Sequence, residues 1–134
     1  MSKIRIAAIK DRFGQQLRNE LLDIITPKGT PVSPAYRLNV TLDKKEVIQQ
    51  AMRNDVTATS ERLEYLVSYK LFSGQNKLVE GTSIAFVSYD ILTNPYSTTT
   101  AQKKAESDAA KILANDIALR IAAYFHSRNN GVNE

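Results

Sequence analysis

The chain has no cysteine, which excludes disulfide staples and thiolate metal sites. Its only histidine is His126, near the end of the chain. A zinc ion would therefore need an all-oxygen site, and a lone terminal imidazole reads as a surface residue or cap partner rather than a general base. Five glycines leave little material for a phosphate cradle. No Gly-rich phosphate loop, G-x-S-x-G turn or H-E-x-x-H helix occurs. No stretch approaches the roughly 20 apolar residues of a membrane-spanning helix. The start, Met1-Ser2-Lys3, leads directly into a strand-like run with no charged leader and no apolar signal core. That fits a cytosolic protein, or one whose targeting segment is missing from the sequence.

What is present describes one ordinary domain. The 134 residues, 43% hydrophobic and 24% charged, suffice to bury a core without staples. A net charge of +4 and a pI near 9.4 lean towards an anionic partner, phosphate-bearing lipid or nucleic acid. The lean is slight, because the basic residues are interspersed with acids.

Periodicity divides the chain into six elements. Ile4, Ile6 and Ala8 alternate with Arg5 and Ala7 as a short strand ending near Lys10. Asp11 reads as the N-cap of a helix carrying Phe13, Leu17, Leu21, Ile24 and Ile25, which Pro27 and Gly29 end. Strict alternation at Tyr36, Leu38, Val40 and Leu42 is the clearest strand, and Val47 and Ile48 continue it or begin a loop. A second alternating run joins Leu63, Tyr65, Val67, Tyr69 and Leu71. Ser73-Gly74-Gln75-Asn76 turns it into a strand over residues 78–91, with Gly81 as a candidate bulge. After Asn94-Pro95, Thr98 to Thr100 cap a long helix with apolar positions Ala105, Ala109, Ile112, Leu113, Ile117, Ile121 and Tyr124. The expected fold is α+β. It is a two-layer sandwich of order β-α-β-β-β-α, with two helices on one face of a four-stranded mixed sheet. One domain covers residues 1–126, and residues 127–134 form a flexible tail.

No catalytic constellation emerges. Glu106 and Asp108 stand two apart on a helix, share no face, and read as solvating residues. The expectation is a binding protein, not an enzyme, with no cofactor and no metal.

The segment from Gln102 to Lys111, with Lys103-Lys104 near its start, resembles the closing helix of a double-stranded-RNA-binding domain. Against that, the run from Ala101 to His126 carries four basic residues and three acids. Tyr96-Ser97-Thr98-Thr99-Thr100 stands where that family has a Gly-rich loop. RNA binding is thus the alternative, and no nucleic acid is expected.

A resemblance over nearly the whole chain rests on Leu17-Arg18-Asn19-Glu20-Leu21 after a short strand, Glu64-Tyr65 opening a long one, and the hairpin around Gly74. To these are added Ser88-Tyr89-Asp90 leading to Asn94-Pro95-Tyr96, then Ala105-Glu106 and Ala114-Asn115-Asp116-Ile117-Ala118. In order and spacing they resemble the lipopolysaccharide-assembly lipoprotein family, LptE. The resemblance implies a non-enzymatic, lipid-anchored protein on the periplasmic face of the outer membrane. There it plugs the β-barrel partner LptD and assists lipopolysaccharide transport and assembly. The family's signal peptide and anchoring cysteine are not in this sequence.

A polar plug suits a polar barrel lumen. The helix-free sheet face is expected to carry Arg37, Asn39 and Thr41 with Glu64, Ser68 and Lys70. The family's basic ligand contacts do not fall on basic residues here. Arg53, Arg62, Lys70 and Lys77 lie in the corresponding neighbourhood and are the candidate lipopolysaccharide contacts, each also readable as a solubilising surface charge.

Overall fold

A computed structural model describes residues 3–50, 60–91 and 94–132. Six elements follow in order: β1 (Ile4–Ile6), α1 (Asp11–Ile25), β2 (Tyr36–Gln50), β3 (Ser60–Ser73), β4 (Asn76–Asp90) and α2 (Pro95–Val132). They form one sheet of order β1-β2-β3-β4. β1 pairs parallel to β2 through the α1 crossover, and the remaining pairs are antiparallel. The expected α+β layout is the one observed.

Alternation on β3 sets the two faces. Leu63, Tyr65, Val67, Tyr69 and Leu71 are buried, while the residues between them are half-buried or exposed. The buried set packs under both helices, against Phe13, Leu17, Leu21 and Ile25 of α1 and Leu113, Ile117 and Ile121 of α2. Both helices therefore share one sheet face, and among the described residues no element covers the other. Along α2 the contact stripe is completed by Ala105, Ala109, Ala110, Ala114 and Ala118. These small side chains let the helix approach α1 and the sheet closely.

Several local readings shift. The first strand ends at Ile6, and α1 is entered through Lys10 with no side-chain cap. Asp11 is the first helical residue and takes the left-handed φ of 72°, a conformation aspartate tolerates better than most side chains. The cap of α2 is Asn94, whose Oδ1 accepts the Tyr96 amide at 2.9 Å, and Pro95 takes the first helical position, where no N–H is needed. The threonines after it bond backwards instead: Thr99 Oγ1 donates to the Pro95 carbonyl at 3.0 Å and Thr100 Oγ1 to that of Tyr96 at 3.1 Å. Ile24 and Ile112 lie outside their helices' buried stripes and are exposed. The helix continues to Val132, beyond the Ser127 at which fraying is expected.

The bulges also move. Gly81 stands in register opposite Tyr69; the extra residues are Asp43 on β2 and Leu78 on β4. Glycine at 81 has a different reason, since a Cβ there would come within 2.6 Å of Tyr69 Oη. Its absence leaves room for the phenol across β4.

Candidate functional site

The open sheet face is the surface on which side chains from three strands converge. Register brings Arg37, Asn39, Thr41, Lys44, Glu46 and Ile48 of β2 opposite Phe72, Lys70, Ser68, Leu66, Glu64 and Arg62 of β3. On the far side of β3 stand Glu80, Thr82, Ile84, Phe86 and Ser88 of β4. Strand pleating points these alternate residues away from the helices.

The face has a polar end and an apolar middle. Near the β3–β4 hairpin, a shallow cleft of about 400 Å³ is lined by Asn39, Thr41, Asp43, Ser68, Lys70 and Phe72. Beside it the Arg37 guanidinium lies over the Phe72 ring, 5.0 Å from its centroid. Further along, a dimple of about 80 Å³ is lined by Lys44, Glu64, Tyr65, Leu66 and Ile84. Ile84 and Phe86 are each 53% exposed there. The Arg62 guanidinium lies 5.4 Å from the Phe86 centroid, and its Nε is buried without a hydrogen-bond partner. Stacking on a ring leaves the other face and the terminal nitrogens of a guanidinium open to an anion.

Ion pairs on this face neutralise some charges and leave others available. Lys44 Nζ meets Glu46 at 2.8 Å. The hydrogen bond to Glu46 raises the lysine pKa, and the bond to Lys44 lowers that of the glutamate. Lys77 meets Glu80 at 3.0 Å, which lowers the Glu80 pKa. Such exposed pairs contribute little stability, but they reduce the cationic character of Lys44 and Lys77.

Of the four basic residues singled out, three fall on this side of the molecule, in two groups. Lys70 and Lys77 gather at the hairpin end around Glu80. Arg62 is eight residues away along β3, roughly 26 Å at the rise of an extended strand, beside Phe86. Arg53 lies outside the described residues. The aromatic half of each station, Phe72 and Phe86, was not singled out in the sequence. Its signal was there only in register: Phe72 is paired directly with Arg37, and Phe86 is one step diagonal from Arg62. At the start of α2, Lys104 is paired with Asp108 at 3.2 Å.

A second polar group lies between the sheet and the helices. Tyr65 stacks on Phe13, with centroids 4.0 Å apart and planes 12° from parallel. Its hydroxyl is buried and makes no hydrogen bond. Burial, aided by the Glu106 carboxylate, pushes this phenol up to about 12. Tyr89 donates to Glu61 Oε2, and burial together with that bond pushes it to about 12 as well. Glu106 is no solvating residue: its side chain is only 14% exposed and meets Arg12 at 3.4 Å. Both phenols are therefore held neutral at physiological pH. Among the described residues no group of three or more His, Cys, Asp or Glu could hold a metal ion, and no helix is long and apolar enough to cross a membrane.

The fold and this surface define a two-layer α+β domain with an amphipathic open sheet face. Solved structures share the architecture. A protein of Caulobacter crescentus CB15 assigned as a lipoprotein is 25% identical with a TM-score of 0.75, over 92% of this chain and 90% of that one. The minor lipoprotein of Acinetobacter baumannii is 17% identical with a TM-score of 0.66, over 92% of each chain. The rare lipoprotein B of Shewanella oneidensis is 11% identical with a TM-score of 0.63, over 98% of each. No curated protein sequence matches. The model of the lipopolysaccharide-assembly family, LptE, matches residues 1–122, and the chain belongs to this family. Its role is in lipopolysaccharide assembly in the cell envelope.

Proposed function

We propose that this protein acts by occupation, not turnover. It forms a one-to-one complex with an outer-membrane β-barrel of the LptD kind, fills part of the lumen from the periplasmic side, and presents its open sheet face to lipopolysaccharide. An N-terminal lipid anchor, as in the family, tethers it to the membrane. The observation that carries this reading is the family match across residues 1–122. The structure adds physical support. A small domain whose open sheet face is mostly polar, with apolar side chains confined to its middle, fills an aqueous lumen without presenting a large apolar surface to lipid. Lipopolysaccharide is a phosphorylated lipid, and cations beside apolar side chains suit both of its parts.

On this proposal Arg62 and Lys70 make charge-assisted contacts to phosphate. Lys77, already paired with Glu80, contributes less, and Arg53 is the fourth contact. The test has two arms. Co-expressed with the barrel of its own organism, the lipidated full-length protein is expected to co-purify one-to-one through detergent and moderate salt. Failure to form a complex under any expression condition rejects the plug. In the second arm, Arg62→Gln and Lys70→Gln are titrated with purified lipopolysaccharide. Each is expected to weaken binding by about 1.5–3 kcal/mol, the worth of a hydrogen bond to a charged group, while the barrel complex survives. Unchanged affinity in both variants rejects the phosphate contacts and leaves the plug standing.

A further inference from the structure

Each edge of an open sheet offers unpaired backbone amides and carbonyls to any strand that approaches. On one side of this sheet, β1 covers β2 over Tyr36, Arg37 and Leu38. Beyond that, the bulge at Asp43 and the charged run Asp43-Lys44-Lys45-Glu46 discourage pairing. β4 forms the other edge and is fifteen residues long. It is flanked by exposed apolar side chains above and below. Ile84 and Phe86 lie on the open face. On α2, Ile112 is 44% and Leu119 70% exposed. These two sit one turn before and three residues after Asp116, on the helix stripe that Asp116 brings to β4. A long edge bordered by apolar residues on both sides is prone to pair with a copy of itself.

A polar assembly interrupts that edge at its centre. Ser83 Oγ donates to Asp116 Oδ2 at 2.5 Å. Arg120 Nε donates to Asp116 Oδ1 at 3.2 Å, and Arg120 Nη1 donates to the Thr82 carbonyl at 2.6 Å. In an antiparallel ladder, alternate residues direct both backbone groups away from the neighbouring strand. Thr82, opposite Ser68, is one of these, and Ile84, Phe86 and Ser88 share its parity. An incoming strand needs the Thr82 carbonyl, and a guanidinium already holds it. Displacing Arg120 breaks that bond and disturbs its contacts with Asp116 and the Tyr69 hydroxyl, an unfavourable exchange for a charged donor.

We propose that Arg120, positioned by Asp116, guards the β4 edge and keeps β4 from pairing antiparallel with the β4 of a second copy. Such a pair is isologous, related by a twofold axis, and joins two four-stranded sheets into one. Ile84 and Phe86 then meet their symmetry mates below the joint, and Ile112 and Leu119 theirs above it. This role is independent of any barrel partner.

The test compares the unmodified chain with Arg120→Ala by sedimentation velocity across a wide concentration range, with amide hydrogen exchange at each concentration. The unmodified chain is expected to stay monomeric. Arg120→Ala is expected to dimerise, with exchange at Ile84, Phe86 and Ser88 slowed by about tenfold or more as new ladder bonds form. Adding Ile84→Lys to Arg120→Ala restores the monomer, because a charge on the edge blocks pairing. Thermal unfolding monitors integrity. Should Arg120→Ala not unfold cooperatively, Arg120→Gln decides instead, since its shorter side chain serves Asp116 without also reaching Thr82. The proposal is overturned if the folded variant remains monomeric at every concentration. A dimer with unprotected edge amides, or an unmodified chain that already dimerises through β4, overturns it equally.

Discussion

Tyr65 and Tyr89 are both buried phenols at the interface between sheet and helices, yet their hydroxyls differ in kind. Tyr65 Oη has no partner, so its desolvation is uncompensated, whereas Tyr89 donates to Glu61. Removing the first hydroxyl therefore removes a penalty, and removing the second removes a bond. Tyr65→Phe is expected to leave stability unchanged or raise it by up to about 1 kcal/mol, and Tyr89→Phe to lower it by about 1.5–3 kcal/mol, both read from urea unfolding. The same two groups set an alkaline limit. In the unfolded chain they ionise near 10, and in the fold near 12. The native state thus holds their protons more tightly. The stability this contributes is complete below pH 10 and is lost as pH rises through about 12. Denaturation midpoints are expected to fall across that window, and less steeply in Tyr65→Phe; a midpoint flat from pH 9 to 12 contradicts the burial of both phenols. Neither environment was legible in the sequence. Alternation places Tyr65 and Tyr69 inward, but whether a phenol finds an acceptor depends on side chains more than twenty residues away.

At the scale of elements, the start of α2 illustrates how local chemistry is read well in kind and misplaced in detail. A helix after Asn94-Pro95 was evident from the proline and the following periodicity. Three threonines looked like its caps, yet Asn94 caps it, because proline at the first helical position puts the capping oxygen one residue earlier. Asn94→Ala is expected to cost about 1 kcal/mol and to speed amide exchange in the first turn of α2, while Thr99→Ala changes stability by less than about 0.5 kcal/mol. A larger loss at Thr99 than at Asn94 contradicts this assignment. Bulges were harder to foresee. Glycine suggested one at 81, but it is there to clear Tyr69 across the strand pair. The bulges observed, at Asp43 and Leu78, carry no glycine to signal them.

For the whole molecule, the two helices and the sheet share a single apolar layer, and Leu21 and Ile117 are wholly buried in it from opposite helices. Truncating either to alanine is expected to cost about 2–5 kcal/mol, the transfer term plus the cavity left behind. A loss under about 1 kcal/mol at both positions, by chemical denaturation, contradicts a common core. The one-layer core was legible early: Leu17, Leu21, Leu38, Val40, Tyr65, Val67, Ile117 and Ile121 follow from periods of 3.6 and 2 and are all buried. The sequence by itself therefore determined the element order, the inward faces, the absence of cysteine and the family resemblance, because each is written in composition or local spacing. It also placed Lys70 on the open face with Glu64 and Ser68, since these share one parity of β3. Only the tertiary structure decided which cations stand on aromatic rings, that Lys77 is neutralised by Glu80, that Glu106 is drawn in by Arg12, and that Arg120 reaches Thr82. Each of these depends on strand register or on helix rotation over the sheet. Both are set by the packing of the whole core, where a shift of one residue would turn every one of those side chains elsewhere.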